Sequence, residues 1–492
     1  MTRAWLFALL VASAAPAQAS APAHSSSLER RIALTPCRLK GAAAPAVCGT
    51  LEVPEDRAHP DGRRVRLRVA LVPALARTPA PDPLFLLAGG PGQAATEVFG
   101  RLLPALERIH RTRDLVLVDQ RGTGKSNPLD CPPPENESLR DKLADDAAAS
   151  VQRFRACVKR WDADTRFYTT PISMQDLDEV REGLGYDQIN LWGGSYGTRA
   201  ALVYLREHGA HVRTVTLDGV APLSLYLPLD LARDAQRAMD LLFQSCAKEL
   251  ACAKAFPDLE SRFNRLLKTL EKAPAQARVA DPVSGVFEEV VISHDAFTGG
   301  LRGVLYLPDL AALVPLTVEQ AARGNYGPFV AETVGLAGGF ERSMSQGLLF
   351  AIVCNEDMPF IQPGEIEAHA RDTFLGPALS REFLRVCEAY PKGAVLPPGY
   401  REPVASDKPV LLLSGELDPV TPPSWAAAAA KTLPHSLQVV VSGVGHGVSA
   451  EGCVPSLLAQ FINQGSADGL ETSCLQTMGR PPFFVSASGP AP

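Results

Sequence analysis

Ser195 lies in the stretch INLWGGSYGTRA (189–200), with Gly193, Gly194 and Gly197 around it. The apolar run Ile189 to Trp192 predicts a short buried strand. From Thr198 to His208 the residues Ala201, Leu202 and Leu205 fall at helical spacing. A serine on so sharp a strand-to-helix turn has strained backbone angles and a hydroxyl pushed outward. Side chains on its neighbours would collide there, so glycines flank it. G-x-S-x-G is the pattern of a nucleophile elbow, although one match alone is also met in ordinary glycine-rich turns.

A serine hydroxyl is a poor nucleophile at neutral pH. It needs a base, an acid to orient that base, and donors for the developing oxyanion. Asp418 follows the apolar run Val410–Leu413, in GELDPVTPP, with Thr421 placed to cap the next helix and Pro422 at its first position. His446 follows Leu437–Val441 and sits between Gly445 and Gly447. The chain order Ser, Asp, His is that of α/β-hydrolases. Asp218 also ends a strand-like run and ranks second as the acid. His435 precedes its run and belongs at the opposite sheet edge, while His208 and His211 read as the end of the helix after Ser195. For the oxyanion hole, the backbone N–H groups of Tyr196 and of Gly90, in AGGPGQ (88–93), are the candidates. GTGKS (122–126) resembles the end of a phosphate-binding loop, but Asp119 stands where that motif needs glycine. Asp119 and Arg121 are therefore expected to hold structural, charge-assisted bonds.

The elements that must position these residues alternate along the first part of the chain. RRVRLRVALVPA (63–74) reads as an early edge strand. PLFLLAGGPG (83–92), RDLVLVDQRGTGKS (113–126) and VRTVTLDGVAP (212–222) each begin as buried strands, and helix-like runs lie at Thr96–His110 and Met174–Leu184. From about Leu223 to Pro403 helical patterns dominate: Leu231–Leu250, Leu259–Lys272, Asp309–Arg323 and Ile366–Phe374. Strands return in KPVLLLSGELDPVTPP (408–423) and HSLQVVVSGVGHG (435–447). The expectation is an α/β fold: a mainly parallel sheet covered on both faces, with a large helical cap inserted late in the core. The boundaries expected are a core part over 20–222, a cap over 223–404 and a second core part over 405–492. The tail SASGPAP reads as disordered.

The 492 residues suffice for a large core, and a net charge of −6 gives no footprint for nucleic acid or for a membrane surface. MTRAWLFALLVASAAPAQASA has the charged, apolar, small-residue order of a secretory signal peptide, residues 1–19, with cleavage after Ala19. The apolar part is too short to span a bilayer, so an exported protein without stable membrane insertion is expected. All ten cysteines lie beyond the cleavage point, which suggests disulfides. Connectivity cannot be deduced from sequence; pairing each cysteine with its chain neighbour is the simplest arrangement. No C-x-x-C or H-E-x-x-H occurs, so no metal or other cofactor is expected.

GGPG, VDQRGTGKS, GGSYGT, LLLSGELDPVTPP and GVGHG, in this order and around a helical block, resemble the exported tripeptidyl and prolyl aminopeptidase group of α/β-hydrolases. The resemblance runs from Cys37 to Cys474, and the segment after Pro403 is similar to that group's C-terminal region. Ala88 departs from it, since many relatives carry histidine there. The resemblance implies a serine exopeptidase acting on peptides with a free N-terminus. Glu356 and Asp357, in AIVCNEDMPF (351–360), are the candidates for binding the substrate ammonium, with a Cys354–Cys387 bridge to pin them. The residues alone reach only acyl transfer to water. A carboxylesterase or lipase-like hydrolase on the same triad is the alternative, and a catalytically dead binding protein a third reading.

Overall fold

The computed structural model describes residues 31–132, 137–144, 147–336 and 343–491. The expected signal peptide lies outside the described residues. Nine strands form one sheet: β1 (Thr35–Cys37), β2 (Ala46–Pro54), β3 (Arg64–Val72), β4 (Leu84–Leu87), β5 (Leu115–Val118), β6 (Ile189–Gly194), β7 (Val212–Asp218), β10 (Val410–Gly415) and β11 (Ser436–Val441). β8 (Ala275–Ala280) and β9 (Phe287–Ile292) make a separate antiparallel hairpin. The order across the main sheet is β1-β2-β3-β5-β4-β6-β7-β10-β11. The pairs from β1 to β5 are antiparallel, and every pair from β5 to β11 is parallel.

Burial explains the parallel half. LFLL in β4 and LVLV in β5 are buried at all four positions, as expected where helices cover both faces. Val410 and Leu412 point into one hydrophobic cluster, and Leu411 and Leu413 into the cluster on the other face. The first face is covered by α1 (Thr170–Leu184), α2 (Tyr196–His208) and α7 (Pro423–Ala430); α8 (Val454–Gln464) and the segment around Leu103–Ile109 cover the second.

β3 is not the edge strand that its alternation suggested. Only Arg64, Arg66 and Arg68 alternate outward; from Val69 to Val72 both faces are buried, and β2 and β1 extend the sheet beyond it. The Thr96–His110 pattern is likewise broken into short helical pieces around Gly100 and Pro104. A Cβ on Gly100 would lie 2.0 Å from the Lys40 carbonyl oxygen, so the chain crosses there too closely for a side chain.

β7 and β10 are neighbours in the sheet, so everything between them is an excursion from it. Its helices α3 (Leu231–Lys248), α4 (Leu259–Lys272), α5 (His294–Val304) and α6 (Val314–Ala322) bury Leu242, Phe263, Phe297, Leu301 and Val318 in a cluster of their own. The β8–β9 hairpin, which carries no helical signal, also packs there through Val279, Val290 and Ile292. Part of the tail expected to be disordered pairs in a short hairpin. Phe483 is fully buried in this cluster, and β12 (Phe484–Ser486) pairs with β13 (Gly489–Pro490).

Each cysteine bonds its chain neighbour: Cys37–Cys48, Cys131–Cys157, Cys246–Cys252, Cys354–Cys387 and Cys453–Cys474. Five disulfides are the cysteine usage of an oxidising compartment. Among the described residues no helix is long and apolar enough to cross a membrane. Replacing Cys354 and Cys387 by serine should lower the unfolding free energy by about 2–4 kcal/mol, measured by denaturant titration of the oxidised proteins.

Candidate active site

Ser195 stands between β6 and α2 with φ 55° and ψ −124°, a left-handed conformation that a residue with a side chain adopts only under constraint. The constraint is packing. A Cβ on Gly193 would lie 2.3 Å from the Gly197 carbonyl oxygen, and one on Gly197 would lie 2.2 Å from that of Leu87. Three stretches of backbone therefore meet with no room for side chains. The Ser195 N–H donates to the Asp218 carbonyl at 2.8 Å, and Thr198 Oγ1 donates to the Ser195 carbonyl at 2.6 Å.

His446 and Asp418, 28 positions apart, meet beyond the ends of β10 and β11, with Nδ1 2.8 Å from Oδ2. Asp418 Oδ1 accepts the N–H groups of Val420 and Thr421, each at 2.8 Å. Thr421 Oγ1 donates to Asp418 Oδ2 at 2.9 Å. Thr421 thus orients the acid and does not cap α7, which starts at Pro423 after Pro422. Burial alone would raise the Asp418 carboxyl. The adjacent imidazolium and the donated hydrogen bonds outweigh it and hold the group below its ordinary value. For His446, burial pulls the imidazole down, but the Asp418 charge and hydrogen bond leave it above its ordinary value.

Asp218 has a different task. Its carboxylate accepts the N–H groups of Val448, at 2.9 and 3.0 Å, and of Ser449, at 2.8 Å. It therefore anchors the loop just after His446. Trp192 Nε1 donates to Ser449 Oγ at 2.9 Å and ties the same loop to β6.

The glycine loop after β4 lies against the nucleophile: a Cβ on Gly89 would sit 3.1 Å from Ser195 Cβ. Gly90 and Gly92 have φ of 109° and 113°, and the Gly92 carbonyl accepts the Ser345 N–H at 2.8 Å. Tyr196 is the first residue of α2, where N–H groups have no acceptor within the helix. Gly89 and Tyr196 thus border Ser195, and Gly90 follows Gly89 in the same loop. Asp119 caps the segment that follows, accepting Thr96 N and Thr96 Oγ1 at 2.9 Å each. Arg121 pairs with both oxygens of Asp176, at 2.6 and 2.7 Å. Both residues hold the structural bonds expected of them.

Glu356 and Asp357 require a correction. Both are fully buried, and all four carboxylate oxygens are engaged within the chain. Glu356 Oε1 accepts Thr170 N at 2.6 Å, and Oε2 accepts Thr170 Oγ1, at 2.8 Å, and the Tyr400 hydroxyl. Asp357 bridges Arg199, at 3.0 Å, and Arg401, at 2.8 Å. Neither presents an open carboxylate to a substrate amine. Thr170 Oγ1 also shares a 2.7 Å hydrogen bond with the Tyr196 hydroxyl, so this network holds the start of α2.

The cap reaches the site through Tyr306, which carries no sequence motif. Its carbonyl accepts the His446 N–H at 3.0 Å, and its ring meets the imidazole edge-on at 5.2 Å between centroids.

Residues 82–452 match the α/β hydrolase fold family. The chain belongs to that family. This α/β-hydrolase is 29% identical over 306 residues to serine protease Hip1 of Mycobacterium tuberculosis, an alignment covering 56% of each chain. It therefore spans little more than half of that relative's length. It is 31% identical over 191 residues to a tripeptidyl aminopeptidase of Streptomyces lividans, covering 36% of this chain and 35% of that one. With carboxylesterase B of Mycobacterium tuberculosis the identity is 27% over 466 residues, covering 87% of this α/β-hydrolase and 86% of that chain.

Two outcomes follow from the buried charges. Asp357→Asn removes the charge that pairs the buried Arg199 and the half-buried Arg401 and should cost about 3–5 kcal/mol of stability, read from denaturant midpoints. The imidazole of His446, followed by NMR, should titrate above its ordinary value near 6.5 and at a lower pH in Asp418→Asn, where burial and the Arg302 charge are opposed only by Asp218. In linkage terms, the raised His446 stabilises the fold fully below about pH 6.5 and loses this as pH rises through its folded value. The lowered Asp418 stabilises it above its unfolded value near 3.8 and loses this as pH falls through the folded one. The pair's contribution is greatest between these limits.

Proposed function

We propose that this protein is an exported serine hydrolase whose nucleophile is Ser195, with His446 as general base and Asp418 as its orienting acid. The observation that carries the reading is the 2.8 Å contact between His446 Nδ1 and Asp418 Oδ2, at the same sheet end as the strained serine. With Nδ1 donating to Asp418, Nε2 is left as the proton acceptor. Ser195 Oγ attacks the acyl carbon as Nε2 takes its proton. The imidazolium returns that proton to the leaving atom as the scissile bond breaks, and water repeats the cycle on the acyl-enzyme. The N–H groups of Tyr196 and Gly90 bind the oxyanion.

The substrate reading is a peptide with a free N-terminus, cleaved in the manner of a tripeptidyl or prolyl aminopeptidase. The motif order and the likeness to a protease and a tripeptidyl aminopeptidase support it. The N-terminal leader and the five disulfides support action outside the cytoplasm. A carboxylesterase is the second reading. It is favoured by the closed state of Glu356 and Asp357 and by the long alignment to carboxylesterase B.

Ser195→Ala should fold normally, because glycine packing shapes the turn, and lose several orders of magnitude in turnover. Retention of activity within about tenfold would remove Ser195 from the mechanism. Asp418→Asn should lower kcat far more than Asp218→Asn; the reverse ranking would move the acid to β7. Chromogenic free-amine peptides, the same peptides N-blocked, and simple esters separate the readings. Hydrolysis restricted to free-amine peptides supports the aminopeptidase, and hydrolysis of esters alone the esterase.

A further inference from the structure

Arg302, near the end of α5, packs on Tyr306 beside the candidate catalytic histidine and has no anionic partner among the described residues. Its Nη2 donates to the Tyr306 hydroxyl at 2.9 Å, and its guanidinium carbon lies 5.4 Å from the centre of the Tyr306 ring. Tyr306 in turn packs on His446 and holds its backbone N–H. Arg302 is half-buried and, among the described residues, forms no ion pair. Its Nε–H is buried with no acceptor. A partly desolvated guanidinium in this condition is costly, and a carboxylate is the partner that its planar donors fit best. On the same helix, Gly299 and Gly303 face open space where a side chain would begin. The positive charge of Arg302 also lowers the His446 imidazole somewhat against the stronger pull of Asp418.

The direction of the chemistry says which part of a substrate would meet it. The histidine must hand its proton to the leaving atom, so the leaving group lies on the histidine side of the nucleophile. We propose that Arg302, oriented by Tyr306, anchors a carboxylate on the leaving-group part of the substrate, so that short peptides releasing a carboxylate-bearing product are preferred. This rests on the assignment of Ser195 and His446 above. The carboxylate has two sources: the C-terminal carboxylate of the residue just after the cut, or an acidic side chain there.

The test compares wild type, Arg302→Gln and Arg302→Lys on matched substrates, after checking that thermal unfolding midpoints agree. One peptide ends one residue after the cut as a free acid; a second is its C-terminal amide; a third is an amide with aspartate at that position. A second set uses acyl esters with hydroxybenzoate or hydroxybenzamide as leaving group, so that the effect is read even if no peptide is cleaved. Wild type should favour the carboxylate member of each pair by about tenfold or more in kcat/KM, mainly through KM. Arg302→Gln should bring the ratio close to one, and Arg302→Lys should restore part of it as a point charge. Preference for the aspartyl amide would assign a side-chain carboxylate, and preference for the free acid alone a terminal one. A wild-type preference for the neutral member, or a ratio unchanged by Arg302→Gln, would overturn the proposal. Cleavage of esters only, with the ratio still dependent on Arg302, would instead overturn the peptidase reading and leave the anchor standing.

Discussion

The close approach of three backbones at the start of α2 is the constraint on which the catalytic end of the sheet depends. Gly197 touches the Leu87 carbonyl and Gly193 touches Gly197, so the helix begins directly on β4 and β6. That contact forces Ser195 into its left-handed conformation, draws the Gly89–Gly92 loop against the nucleophile, and leaves the Tyr196 N–H at the head of the helix. A larger residue at either glycine would push α2 away from the sheet and undo all three together. The buried chain Tyr196–Thr170–Glu356–Tyr400 braces the same helix from the far side.

Two aspartates divide the work of placing one histidine. Asp418 holds the ring, and its own orientation is fixed by Val420 and Thr421. Asp218 holds the backbone that follows, through Val448 and Ser449. In each case a carboxylate is withdrawn from water and compensated by several directed donors, which is the condition for a buried acid to fix geometry. The outcomes differ: the partner charge of His446 lowers Asp418, whereas burial prevails at Asp218 and raises it.

Much of this was legible in the chain because it is local. β4, β5, β7, β10 and β11 are short apolar runs, and the candidate residues follow them in motifs that need only a few neighbours to recognise. α4 runs from Leu259 to Lys272, as its apolar spacing predicts, because Leu259, Phe263, Leu266, Leu267 and Leu270 all face the cap interior. What failed was long-range. Glu356 and Asp357 look like free acids until Thr170, Arg199 and Arg401 are brought to them, and no pattern links positions so far apart. β3 looked like an edge because the strands beyond it, β1 and β2, were not recognised. Phe287–Ile292 exposes the apolar Phe287 and Val291, so its apolar residues do not follow the inside–outside alternation by which a half-buried strand is recognised. Tyr306 became visible only through contact with His446, and Arg302 only through its contact with Tyr306.

The hydrogen bond from the His446 N–H to the Tyr306 carbonyl joins a residue of the sheet domain to one that the cap contributes. Such a bond ties the position of the histidine loop to the backbone at the end of α5. A cap exchanged between relatives by recombination would bring a different backbone to this acceptor position and leave the histidine loop without its support. Change in the cap is therefore easiest away from the end of α5, on helices that do not touch this loop. The short stretch from Arg302 to Tyr306 and the loop around His446 are therefore held together in space, although 140 positions of chain separate Tyr306 from His446.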